Sequence, residues 1–358
     1  MKRVAQIAAL SAAAALALAA CGDAPEEATG SATSTTAAAD FTGCMVSDAG
    51  GFDDGSFNES SYAGLERAVE ELGIKKAEAE STDAGQYNGN LDSMMQNDCD
   101  LIITVGFNLA DATAAAAEGN PDQKFALIDS TVDPARENVK PILFNTHEAA
   151  YLAGYLAAGI TETGTVATYG GFPIPSVTIF MDGFVDGVAK YNEDHGTDVK
   201  ALGWNKETQD GEFTDTFDDK GQGVISTNNF IAAGADVILP VAGPVGEGSL
   251  SAASQNDGVK VIWVDADGYD MYPEYQDIIP TSVLKGMEQA VFDVLYASTG
   301  TAFNSDAYVG TLANEGIGLA EVRDESVPED LLEEIDTLKQ QIVDGELVVE
   351  SPSSISVD

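Results

Sequence analysis

Phe57 and Asn58 follow directly on a turn rich in Gly and Asp, in the run SDAGGFDDGSFNE at residues 47–59. Glycine in such a turn lets backbone come close to a ligand. An aromatic face beside a primary amide suits stacking on a flat ring and hydrogen-bonding its edge. That is binding chemistry rather than bond making. A second Gly-rich turn, GPVGEG at 243–248, follows an apolar run and opens a helix. It too suits close backbone approach, here around Gly243. Its spacing is not GxGxxG, and the chain holds no GxxxxGK[ST] and no GxSxG. Neither a phosphate loop nor a nucleophile elbow is therefore expected. His147 opens a helix with no Ser or Cys nucleophile tied to it, and reads as a solvated or capping residue. The run DADGYD at 265–270 has Asp and Gly in the wrong order for a calcium loop and lacks the distal Glu. Two thiols beyond Cys21 and two distant histidines, His147 and His195, make no zinc site. No metal and no cofactor is expected.

The elements that must position these residues can be read from periodicity. A short apolar run, Cys44 to Val46, precedes the first turn, and Ser56 with Glu59 has the spacing of a capping box. A helix is predicted from near Phe57, with Tyr62, Leu65, Val69 and Leu72 on one face and Gly73 as its stop. Phe57 and Asn58 then lie at the C-terminal edge of a strand, where open α/β sheets bind ligands. Further strands are predicted at 101–105, 125–129, 142–144, 165–169, 199–204, 236–241, 260–265 and 278–282, with a weaker polar one at 74–80. Helices are predicted at about 87–97, 109–118, 147–160, 175–192, 219–233, 247–256, 284–297 and 328–343. This alternation implies parallel sheets covered on both faces. There are too many strands for one simple sheet, and two α/β lobes fit them.

The first 20 residues carry Lys2 and Arg3, then an Ala-rich apolar stretch ending in LAAC at 18–21. This reads as a secretory leader with a lipobox, Cys21 becoming the acylated N-terminus. The stretch is short for a transmembrane anchor and has no stop-transfer flank. Residues 21–40 read as a flexible tether without core-forming side chains. The expected location is the extracytoplasmic face of a cell membrane, held there by lipid. About 318 residues remain, enough for two ordinary domains. Sixty acidic against sixteen basic residues give a formal charge of −44. That excludes nucleic acid as a partner, since phosphate binding needs a basic face. The acidity reads either as a highly solvated surface or as adaptation to high salt, where repulsion is screened. Cys44 and Cys99 each precede a predicted strand, and the first and third strands of a doubly wound sheet are parallel neighbours. An exported chain permits a disulfide between them, two buried thiols being the alternative.

Taken in order, the segments resemble the basic membrane protein family, the purine nucleoside-binding lipoproteins of ABC importers. The match is carried by SDAGGFDDGSFN (47–58), ITVGF (103–107), FALID (125–129), AAYLAGYL (149–156), GGFPIP (170–175), FMDGF (180–184), GAD (234–236) and TSVLK (281–285). It covers about residues 43 to 320. The resemblance implies a type I periplasmic-binding-protein fold, α/β, with two Rossmann-like lobes joined by three crossovers. One lobe would hold 41–145 and about 266–310, the other 146–265 and about 311–358. It implies a monomer that needs no cofactor, does no chemistry and delivers a purine nucleoside to importer permease subunits. The purine would lie between two aromatics, Phe57 and one from the loop GEFTDTF at 211–217. Phe213 is assigned by the local F-x-D pattern, with Phe217 as the alternate. Asn58 and Asp129 would bond the base edge, with Asp48 on the same wall. Asp265, Lys285 and backbone around Gly243 would hold the ribose hydroxyls. Trp263 stands where the family often has Gly.

Without the resemblance these assignments stay open. Phe57 could be a core staple, Asp129 could cap the next turn, and Asp265 could be a strand-end turn residue. Lys285 by itself reads as a solvated helix lysine. Two other functions remain: a binding protein for a sugar or sugar-like signal on the same fold, and a nucleoside hydrolase. The absence of a nucleophile, phosphate or metal motif speaks against the hydrolase.

Overall fold

The computed structural model describes residues 38–300, 303–324 and 326–355. The expected leader, the lipidation site Cys21 and the tether up to residue 37 lie outside the described residues. The strands, in chain order, are β1 (Thr42–Ala49), β2 (Lys75–Ser81), β3 (Leu101–Val105), β4 (Lys124–Ile128), β5 (Val139–Phe144), β6 (Thr165–Gly170), β7 (Lys200–Leu202), β8 (Trp204–Asn205), β9 (Asp210–Gly211), β10 (Val237–Val241), β11 (Lys260–Val261), β12 (Trp263–Asp265), β13 (Ser282–Lys285), β14 (Tyr308–Gly310) and β15 (Ile317–Leu319).

Two parallel sheets dominate. The first runs β14-β5-β4-β3-β1-β2 and the second β11-β10-β6-β7. All five residues of β3 are buried, as are the six central residues of β1, because helices cover both faces. At the edge, β2 reads KKAEAES and alternates between exposed and half-buried, a charged strand that discourages further pairing. Cys44 and Cys99 are disulfide-bonded with their Cα atoms 5.9 Å apart, tying β1 to the entry of its neighbour β3. Helix Phe57–Leu72 follows β1 and ends at Gly73, which takes the left-handed conformation.

The chain leaves the first sheet after β5 through helix Thr146–Ile160, which is almost wholly buried. It packs against helix Pro175–His195 so closely that a Cβ on Gly187 would stand 1.9 Å from the Tyr151 carbonyl oxygen. Only glycine permits that approach. Helix Glu329–Val343 lies along the same element, with Leu331 against Gly159.

Three strand expectations are corrected. Residues 278–282 do not form a strand: Pro273–Ile278 is a 3-10 helix and β13 begins at Ser282. β13 is bonded on both edges, to β12 and β15, so it must start past Pro280, which has no N–H to give. The run 260–265 is two strands: β11 pairs with β10, whereas β12 pairs with β13 in a separate small sheet. The run 199–204 breaks at Gly203, whose φ of 87° no strand residue adopts.

Candidate functional site

The C-terminal ends of β1, β4, β10, β12 and β13 converge on one cavity, a concave and mostly apolar place of the kind that holds small molecules. Its charged lining is Asp48, Asp54, Asp129, Asp218 and Asp265 against a single cation, Lys285. Acceptors outnumber donors, so the site suits a neutral ligand that donates hydrogen bonds and disfavours an anion.

The entry of helix Phe57–Leu72 is organised by Asp54. Its Oδ1 accepts from the N–H groups of Ser56 and Glu59 at 2.9 and 3.0 Å, and its Oδ2 from the N–H and Nδ2 of Asn58 at 2.9 and 3.0 Å. The expected capping box does not form. Ser56 makes no side-chain cap bond, and Glu59 accepts from Gly55 N instead. An acid side chain upstream offers two oxygens to the free N–H groups where a hydroxyl offers one. Ser56 Oγ is thereby released to donate to Asp265 Oδ2 at 3.2 Å. Phe57 is half-buried and lines the cavity, and Asn58 is buried beside it.

Asp48, next to last in β1, accepts from Asn58 Nδ2 at 3.0 Å. Burial pushes its carboxyl up to about 7; the Asn58 bond opposes this, while Asp54, Asp218 and Asp129 add to it. Gly106, at φ 108°, leaves room for it: a Cβ there would lie 2.6 Å from Asp48 Oδ2. Asp129 and Asp265 close β4 and β12, both with positive φ, 63° and 71°. Asp tolerates that conformation better than most residues, and its use at two cavity positions places both carboxylates inward of their strands. Lys285 bonds Asp129 Oδ2, and the two form a buried ion pair. Burial raises the Asp129 carboxyl and Lys285 opposes it. Asp265 is pushed up to about 6, by burial first, with Lys285 opposing and Asp129 adding. Lys285 is the last residue of β13, 5% exposed, so the solvated-helix reading is corrected. Its Nζ lies 5.0 Å from the centre of the Phe57 ring, and the Phe144 and Phe180 rings enclose it further.

On the second sheet, Gly243 opens its turn with φ 53° and lines the cavity. Phe217 lines the cavity and Phe213 does not. The backbone of Phe213 bridges to Gly170, continuing the sheet, and its ring packs edge-on to Trp204 at 5.9 Å. Asp215, at φ 54°, then turns the loop, and Phe217 lies over Gly171 and edge-on to Phe172 at 5.1 Å. Each ring packs on a bare backbone, Phe213 on Gly170 and Phe217 on Gly171. Asp54 and Asp218 were missed as site residues. Asp54 carried a signal, an acid just ahead of a helix start. Trp263 does not face the cavity; it is buried edge-on to Tyr272 at 4.8 Å, against Gly246 and Gly268.

The family of ABC transporter substrate-binding proteins described as PnrA-like matches residues 41–352. The chain belongs to this family. Among its relatives, the ABC transporter nucleoside-binding protein BmpA of Lactococcus lactis subsp. cremoris is 30% identical over 98% of this chain and 99% of that one. Basic membrane protein A of Borreliella burgdorferi is 29% identical over 84% and 86%. A solute-binding protein of an Aeropyrum pernix ABC transporter system superposes with a TM-score of 0.76 at 26% identity, over 88% of this chain and 94% of that one. The protein is thus an ABC transporter substrate-binding protein with the periplasmic-binding-protein architecture, and not an enzyme. The family resemblance read from ordered motifs and the whole-chain match agree.

Proposed function

We propose that this substrate-binding protein captures a purine nucleoside and hands it to the permease of an ABC importer. The observation that carries this reading is the cavity lining: four aromatic rings, Phe57, Phe107, Phe180 and Phe217, among acceptor-rich walls with one cation, Phe57 entering after β1 of the first sheet and Phe217 from the loop beside the second. Aromatic faces hold a base by stacking worth about 1–3 kcal/mol each. Asp48, Asn58 and Asp129 accept from the base edge, and Asp265 with Lys285 offers an acceptor and a donor to vicinal ribose hydroxyls. The Lactococcus relative named as nucleoside-binding supports the same ligand class.

Capture works by closure in this reading. We assign residues 41–145 and about 266–310 to one lobe, and 146–265 with about 311–358 to the other. Phe57, Asn58 and Asp129 belong to the first, Phe217 and Gly243 to the second. Neither lobe alone encloses the ring, so the ligand favours the closed arrangement through contacts that only closure completes. Acylation at Cys21 holds the monomer at the outer membrane face, close to its permease.

Titration calorimetry with guanosine, inosine, adenosine and a free pentose tests the ligand. Heat is expected with nucleosides, together with no release of free base on prolonged incubation. Heat with the pentose alone would overturn the nucleoside reading, and free base would overturn the binding-only role.

A further inference from the structure

Past helix Glu329–Val343 the chain runs behind the cavity wall and is fastened there. None of residues 349–353 lines the cavity, yet Val349 and Ser353 are buried. Ser351 Oγ accepts from Ser353 N at 3.0 Å and donates to Asp182 Oδ2 at 2.6 Å. Asp182 is fully buried in helix Pro175–His195, and its Oδ1 accepts from Trp204 Nε1 and Gln209 Nε2, both at 2.9 Å. Ser353 Oγ donates to Gln209 Oε1 at 3.1 Å and lies 2.7 Å from Thr178 Oγ1. The Val349 backbone hydrogen-bonds the His147 ring, and Lys206 Nζ donates to the Glu350 carbonyl.

These partners carry two pieces of the wall. Thr178 sits at the start of its helix, among Ser176, Val177 and Phe180, which line the cavity. Trp204 and Gln209 belong to the β8–β9 hairpin, which runs straight into the loop holding Phe213 and Phe217. Gln209 has φ 52°, a left-handed conformation that residues other than Gly seldom take. Such a backbone persists only where its surroundings over-determine it. Here both ends of the Gln209 amide are taken, Oε1 by Ser353 and Nε2 by Asp182 and the Lys206 carbonyl. Trp204, held by Asp182, in turn seats the Phe213 ring edge-on.

We infer that residues 349–353 form a positioning strap. Through Asp182, Gln209 and Thr178 they hold the helix start that presents Val177 and Phe180 in register with the loop that presents Phe217. The inference rests on the nucleoside reading above and adds to it a determinant of affinity that never touches the ligand. A site whose supporting shell is loose is imprecise, and a loop that the ligand itself must order lowers affinity.

The test is calorimetry with guanosine and inosine, beside thermal melts and tryptophan emission, on the wild type, Ser351→Ala, Ser353→Ala and Ser351→Thr. The chain has two tryptophans. Trp263 packs against Tyr272, Gly246 and Gly268, away from the strap, so a change in emission reports Trp204. Each alanine should weaken binding about three- to tenfold and shift the emission. Threonine at 351 returns the hydroxyl and should bind as the wild type does. Alanine variants that melt lower yet bind as tightly as the wild type would make the strap merely structural and overturn the inference. If Ser351→Ala does not fold, Ser353→Ala decides, since it leaves the three bonds to Asp182 in place. No heat with the wild type and either nucleoside would overturn the nucleoside reading instead. In that case an unchanged Trp204 emission in both alanine variants would still overturn the strap.

Discussion

Asp48→Asn should stabilise the ligand-free protein, and more so at pH 8 than at pH 5. The carboxyl is raised from an ordinary 3.8 to about 7, mainly because it is buried at the end of β1, with Asp54, Asp218 and Asp129 as like-charged neighbours. A raised carboxyl favours the folded state while protonated. Its contribution is whole below the unfolded value near 4 and is lost as pH rises through about 7. At about 1.4 kcal/mol per pH unit, keeping Asp48 ionised at pH 8 costs the fold roughly 4 kcal/mol against a neutral side chain. At pH 5 the folded group is protonated already, and the cost falls to about 1.5 kcal/mol. An asparagine at 48 keeps an acceptor for Asn58 Nδ2 and removes the charge. Urea unfolding of wild type and variant at the two pH values should therefore give a gain that shrinks by about 2–3 kcal/mol on going to pH 5. Subtracting at each pH cancels most of the titration of Asp129 and Asp265. A variant less stable than wild type at pH 8, or a gain equal at both pH values, would refute the reasoning that Asp48 is held ionised at a cost.

Phe217→Ala should weaken nucleoside binding by about 1–3 kcal/mol without unfolding, measured by calorimetry, whereas Phe213→Ala should lower the melting temperature through a packing loss on the order of 2–3 kcal/mol. Loss of affinity confined to Phe213→Ala would reverse the assignment of the stacking ring. Reducing the Cys44–Cys99 bond, which closes a separation of 55 residues, should cost about 2–4 kcal/mol in urea unfolding. Two freely alkylated thiols in exported protein would show that the bridge does not form there. Nucleoside affinity should hold or rise between low and molar salt, because closure brings acidic lobes together and the screening length falls from about 10 Å at 0.1 M to about 3 Å at 1 M. Small-angle scattering should show compaction at saturation; a steep loss of affinity with salt, or no compaction, would count against closure.

Much of the architecture was legible in the chain because each strand is an apolar run bounded by turn residues. β3 and the helix Phe57–Leu72 were predicted to the residue, and Gly73 was read as the stop. The short β14 and β15 were missed, since three residues carry too little pattern to distinguish strand from loop. The strand predicted at 278–282 failed because an apolar run does not tell where its ladder begins; Pro280 decides that only once β13 has neighbours on both edges.

At the site, composition and local spacing determined that Phe57 and Asn58 stand at a strand end beside a glycine-rich turn, that Gly243 opens a second such turn, and that the chain has no nucleophile or phosphate motif. Those are properties of neighbours in sequence. Only the tertiary structure decided that Lys285 is a buried partner of Asp129 rather than a solvated helix residue, since 156 residues separate them. It also decided that Phe217 lines the cavity in place of Phe213, because the bare backbone of Gly170 and Gly171 receives the two rings differently. The same holds for Asp54, whose oxygens cap the helix while Ser56 turns to Asp265 across 209 positions. Periodicity reports which face of an element is apolar. The partner of a polar group depends on which strand ends the fold brings together, and on which of the competing donors and acceptors must be satisfied once water has been excluded.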